Sequence, residues 1–82
     1  MDMPITEEAE AALAARARRV LPEGRFGNMA GDVVLRAGRG GRVWDVAGRE
    51  YVDFLLGSGP MLIGHAHPEV NEAVQAQLAR GT

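Results

Sequence analysis

The chain has 82 residues, 46% of them hydrophobic and 24% charged, with a formal net charge of −2 and no cysteine. That length allows one small domain, or a piece of a larger one, burying only about 60% of its unfolded surface. The acidic balance is the opposite of a nucleic-acid footprint, the missing thiols exclude disulfides, thiolate zinc sites and cysteine nucleophiles, and no apolar run approaches the roughly 20 residues of a membrane span.

The chain opens with Asp2, Glu7, Glu8 and Glu10 where a secretory signal needs basic charge, so a cytoplasmic protein is expected. All nine cationic side chains are arginine; there is no lysine. Thr6 is placed to cap a helix over about 6–21, with Glu7, Glu8 and Glu10 opposing the dipole in its first turn. Leu13, Ala17, Val20 and Leu21 form one thin apolar stripe, and Pro22 and Gly24 stop the helix. Such a stripe buries little, so this helix is expected to lie against something the chain does not contain. Residues 23–31 show no periodicity and read as an irregular segment.

A three-stranded antiparallel meander is expected over about 32–55. Its strands are 32–37 (DVVLRA), 42–45 (RVWD) and 50–55 (EYVDFL), with 38–41 (GRGG) as one turn and 46–49 (VAGR) as the other. Gly48 suits the left-handed position of a hairpin loop. Trp44 is expected near the level of Tyr51 and Val52, and Trp44, Tyr51 and Phe54 are expected to form the core of the meander. A glycine-rich loop over 57–67 follows. His67 and Pro68 then open a helix over about 68–80, with Glu69 and Glu72 in its first turn and Gly81 as its stop. Val70, Ala73, Val74, Gln77 and Leu78 keep helical spacing, so one face of this helix is expected to be buried.

Residue chemistry alone favours structural roles. His65 and His67 sit beside glycine and proline with no third ligand in view, which fits a turn residue and a helix cap better than a metal pair. The 38–42 run (GRGGR) opens a strand, whereas a phosphate cradle opens a helix. Asp45 and Asp53 read as strand-edge or turn-capping carboxylates more readily than as an acid–base pair. Ser58 lacks the flanks of a nucleophile elbow.

Two blocks, taken together, carry a resemblance. Residues 40–54 (GGRVWDVAGREYVDF) are followed by Ser58-Gly59-Pro60, by 64–70 (GHAHPEV), and by a helix through Ala73 and Val74 to Gly81. In this order and separation they resemble the N-terminal region of class III pyridoxal-phosphate-dependent aminotransferases, most of all the glutamate-1-semialdehyde aminomutases and their relatives. The resemblance covers most of this chain but only the opening portion of such an enzyme, with the cofactor-binding large domain absent. It implies an α+β architecture, namely N-terminal helix, three-stranded meander, glycine-rich loop and C-terminal helix, as part of a fold type I subunit. It also implies a homodimer and a small-molecule amino donor and acceptor, while the charge balance and the lack of a long apolar run already point away from nucleic acid and membrane partners. Pyridoxal 5'-phosphate is implied for the parent family and is not expected to be bound by this chain alone.

By the same resemblance the glycine–proline loop passes the substrate side of the active site at the dimer interface, making Ser58 and Gly59 the candidate substrate-binding residues. The aminomutases commonly place tryptophan at the position of Ser58, so this chain departs from them there. Their substrate-carboxylate arginine lies in an Asn-Ser-Pro-Val-Arg run, where this chain reads GRFGNMA over 24–30, and that role is not carried onto Arg25 or Asn28. The family's chemistry needs a lysine for the cofactor aldehyde. With no lysine, the chain by itself is expected to be inactive; no catalytic, cofactor-binding or metal residue is assigned. Two other classes stay open: a freestanding protein-interaction module without catalysis and, last, an arginine–glycine RNA binder.

Overall fold

In the computed structural model, residues 4–24 and 33–81 are described. Residues 25–31 of the irregular segment, with Arg25 and Asn28, and the expected strand start at Asp32 lie outside them. The described elements are helix α1 (Glu7–Val20), strands β1 (Leu35–Arg39), β2 (Arg42–Asp45) and β3 (Glu50–Val52), and helix α2 (Pro68–Leu78). Short turns occupy Pro22–Gly24 and Leu56–Ser58. None of the described helices is long and apolar enough to cross a membrane.

Helix α1 starts because Thr6 Oγ1 accepts the Ala9 N–H at 3.1 Å, with three glutamates in its first turn. It ends where Leu21 turns extended ahead of Pro22. Ala14 alone in it is buried, and Val20 remains 68% exposed, so the thin stripe is only partly covered. The segment before it is tied to the sheet. Ile5 N–H donates to the Val46 carbonyl at 2.9 Å, and Pro4 lies 3.0 Å from where a Cβ on Gly48 would stand.

The sheet has the order β1-β2-β3, antiparallel throughout. Strand β1 runs two residues past the expected end, so Gly38 pairs with Val43 inside the sheet and only Gly40 and Gly41 turn the chain. A bulge between Leu35 and Ala37 interrupts this ladder. The second register also differs from expectation. Trp44 faces Glu50, while Tyr51 faces Val43. The cause is the turn: Asp45 N–H donates to the Arg49 carbonyl at 3.0 Å and Gly48 N–H to Asp45 at 3.0 Å. Closing the turn on Asp45 and Arg49 sets every later pair, putting Tyr51 on the face of Val43 and Asp45 rather than beside Trp44.

The core is correspondingly small and is not the aromatic one expected. Val43, Val46 and Ala14 are its buried apolar members, whereas Phe54 is 92% exposed and Tyr51 is only partly covered. At its centre stands a carboxylate, Asp45, 1% exposed. Its Oδ1 accepts the N–H groups of Ala47 (3.0 Å) and Arg49 (2.9 Å), and its Oδ2 accepts Arg49 Nε (2.7 Å) and the Tyr51 hydroxyl (2.9 Å). Arg49 also pairs with Glu10, linking the hub to α1. The expected burial of one α2 face does not occur either. Val70, Val74 and Leu78 stay about half exposed, and α2 packs on no other helix or strand among the described residues.

Burial pushes the Asp45 carboxyl up, but the Arg49 and Tyr51 hydrogen bonds outweigh it and hold the group at about 2, against an ordinary 3.8. A pKa depressed by folding adds stability that is complete above the unfolded-state value and is lost as pH falls toward the folded-state value. The urea midpoint read from Trp44 fluorescence is therefore expected to hold from pH 7 to about 5 and to fall between about pH 4 and 2. In Asp45→Asn most of that acid slope should vanish, Asp53 supplying the remainder; an unchanged slope contradicts the assignment.

Candidate functional site

The loop between β3 and α2 is held at both ends by the β1–β2 turn. At its start, Asp53 N–H continues the ladder by donating to the Gly41 carbonyl at 2.8 Å. The Asp53 side chain then accepts the N–H groups of Leu55 (2.9 Å) and Leu56 (3.0 Å) on Oδ1, a turn-capping arrangement. At its end, His65 exchanges two main-chain hydrogen bonds with Gly40, at 2.8 and 2.9 Å. The His65 ring closes the circuit, its Nε2 lying 2.5 Å from Asp53 Oδ2. The hydrogen bond from His65, then the backbone donors, hold the Asp53 carboxyl below the usual range against the opposing effect of burial.

Two glycines make this closure sterically possible. A Cβ on Gly38 would lie 2.7 Å from His65 Cγ, so the ring rests directly on the β1 backbone. A Cβ on Gly64 would stand 2.8 Å from the Gly40 carbonyl carbon, and Gly64 has φ +85.

Between the anchors the backbone enters the left-handed region at four successive residues: Leu56 (φ 49), Gly57 (68), Ser58 (63) and Gly59 (119). Two of these carry side chains for which that conformation is costly. Ser58 N–H donates to the Leu55 carbonyl at 3.0 Å and Gly59 N–H to the Leu56 carbonyl at 3.3 Å. Both residues are exposed at the crest of the turn, and a Cβ on Gly59 would meet nothing within 4 Å. Beneath the turn an apolar groove of about 360 Å³ runs between Leu35, Val43, Val52 and Leu55, with Asp53 and His65 on its polar side. Gly57 lines it; Ser58 and Gly59 do not border it.

The two aspartates thus do different work. Asp45 and Asp53 each cap a turn, and each has its own partner rather than the other. His65 is a loop tie, and His67 is the residue ahead of α2, its side chain making no capping bond. No group of three or more metal-ligating side chains exists among the described residues. The Asp53–His65 contact is what reading the sequence missed. Its one legible signal is an aspartate directly after a strand, ahead of a glycine-rich loop. The pairing across twelve residues needs Gly38 and Gly40 to be brought beneath Gly64 and His65, which only the folded hairpin does.

The family described as aminotransferase class-III matches residues 26–82. The chain is 44% identical over 75 residues to glutamate-1-semialdehyde 2,1-aminomutase of Chloroflexus aurantiacus, covering 83% of this chain and 17% of that protein. The corresponding aminomutase of Desulfitobacterium hafniense is 41% identical over 75 residues, 83% of this chain and 17% of that protein. Among solved structures, an omega-transaminase from Sphaerobacter thermophilus superposes with a TM-score of 0.74 at 40% identity, over 89% of this chain and 18% of that one. A transaminase with PLP bound superposes with a TM-score of 0.74 at 42% identity, over 95% of this chain and 19% of its own. The chain therefore spans less than a fifth of the length of the relatives it matches.

The close approach of Gly64 to Gly40 gives a graded test. Gly40→Ala meets open space and is expected to cost only the left-handed conformation, about 1 kcal/mol. Gly64→Ala adds the clash with the Gly40 backbone and is expected to cost about 3 kcal/mol. Thermal unfolding followed by circular dichroism measures both, and equal losses contradict the contact.

Proposed function

The chain belongs to the class-III aminotransferase family, and from that premise we propose that it serves as the N-terminal segment of a pyridoxal-phosphate-dependent subunit of fold type I. The parent reaction moves an amino group between an amino acid or amine and a carbonyl compound, or shifts it within glutamate-1-semialdehyde. The observation that carries this is the superposition of 89% of this chain on an omega-transaminase at a TM-score of 0.74, over 18% of that chain's length.

The residues present do not fit the cofactor. The sequence has no lysine to meet an aldehyde. The 38–42 run passes through a tight turn from β1 into β2, so it presents no helix N-terminus to a phosphate. The chain's own contribution is instead positional. The hairpin carries the loop, and the loop sets Ser58 and Gly59 as small residues against the substrate side of a pocket whose reacting groups belong to the larger subunit. A serine at position 58 leaves more room than the tryptophan common in aminomutases, which favours aminotransfer to or from a bulkier substrate. Homodimer assembly and a cytoplasmic location belong to the same proposal, the first of them resting on the family resemblance.

The purified 82-residue chain, mixed with pyridoxal phosphate, an amine donor and a keto acceptor, is expected to show no turnover. Supplied to a class III aminotransferase from which the matching stretch has been removed, it is expected to restore turnover. In that assembly Ser58→Trp should lower kcat/KM for a bulky amine about tenfold while sparing a small one. Turnover by the chain alone, or no restoration in the assembly, overturns the proposal.

A further inference from the structure

We infer that Asp53 and His65 are positioning residues, a latch that fixes the Ser58–Gly59 turn in its strained conformation. The role assigned to that turn rests on the function proposed above; the latch itself stands on geometry.

Four successive left-handed residues are a conformation that a free loop abandons, because Leu56 and Ser58, unlike the two glycines, carry a Cβ that crowds the backbone there. It persists only where the surroundings over-determine it. Here the surroundings are two anchors on a single rigid object, the Gly40–Gly41 turn. Asp53 hangs from the Gly41 carbonyl and His65 from both polar groups of Gly40. The Asp53 carboxylate then acts in two directions. Oδ1 accepts Leu55 and Leu56 N–H and so starts the left-handed run, while Oδ2 meets His65 Nε2 and so fixes where the run must return. One side-chain contact thus closes a twelve-residue circuit whose crest is Ser58 and Gly59.

The chemistry of the contact fixes the proton. An ionised carboxylate only accepts, so the His65 nitrogen facing it carries hydrogen, and neutral His65 is the Nε2–H tautomer. The ring lies on Gly38 with no Cβ between, and its own backbone pairs with both polar groups of Gly40, so His65 is placed to set the loop's geometry.

The test is nuclear magnetic resonance on the full 82-residue chain, and it needs no turnover, so its outcome is separate from that of the proposed activity. The ring nitrogens of His65 are expected to report hydrogen on Nε2, with the neutral ring moving toward Nδ1–H in Asp53→Asn, whose amide presents a donor instead. Amide exchange at Ser58 and Gly59 should quicken about tenfold or more in His65→Ala, while the β2 amides Val43 and Asp45 keep their rates. His65→Gln, which restores a side-chain donor, should recover part of the protection. The latch is overturned by an Nδ1–H ring in the unaltered chain, or by loop exchange that His65→Ala leaves unchanged. It is equally overturned if exchange quickens in the loop and β2 together, or if Ser58 and Gly59 already exchange at free-peptide rates in the unaltered chain.

Discussion

The fold depends on a carboxylate in the place where a core side chain would be expected. Asp45 is the most buried residue described, and a lone carboxylate there would cost several kcal/mol or take up a proton. It does neither, because two backbone N–H groups, a guanidinium and a phenol converge on it. That convergence has structural consequences in three directions. It shapes the 46–49 turn, it sets the β2–β3 register that carries Tyr51 beneath it, and through Arg49 and Glu10 it reaches α1. The register then puts Asp53 opposite Gly41, which is where the glycine-rich loop begins.

A second carboxylate repeats the device at lower burial. Asp53 caps a turn as Asp45 does, but its second oxygen is given to a histidine twelve residues away. The two are hierarchical. Asp53 hangs from Gly41 in the register that Asp45 sets, whereas the three strands pair through bonds that do not involve the loop. Apolar cover is scarce around this polar frame. The α2 stripe, Phe54, Leu62 and the groove beside Leu35 stay open among the described residues, consistent with a segment spanning less than a fifth of its relatives.

Local signals in the sequence suffice for the existence of the elements but not for their bounds, since the third strand ends at Val52, where Asp53 turns the chain, and not at Leu55. Thr6, Pro68 and Gly48 each dictate a conformation through their own backbone or side-chain chemistry, and each sits where that chemistry places it. Non-local facts were not legible. Whether Trp44 meets Tyr51 or Glu50 is decided by two hydrogen bonds across the 46–49 turn, which shift the register without altering any hydrophobic pattern. Periodicity in 70–78 reports an apolar face but not what covers it, so it led to an expectation of burial that the structure does not meet. Phe54 misled similarly, since an aromatic after a strand reads as core. The latch was hidden because glycines 38 and 64 announce only freedom of backbone, while their use is the absence of a Cβ between two segments that the fold presses together.

The hierarchy of the two aspartates is open to a direct comparison, because Trp44, the only tryptophan, lies in β2 and reports the sheet. Urea unfolding of Asp45→Asn and Asp53→Asn, followed by its fluorescence, separates frame from loop. Asp45→Asn should lower the stability of the sheet by about 2 kcal/mol or more, and Asp53→Asn by well under half of that. Equal losses, or a sheet more sensitive to Asp53 than to Asp45, would contradict a fold hung on the buried carboxylate.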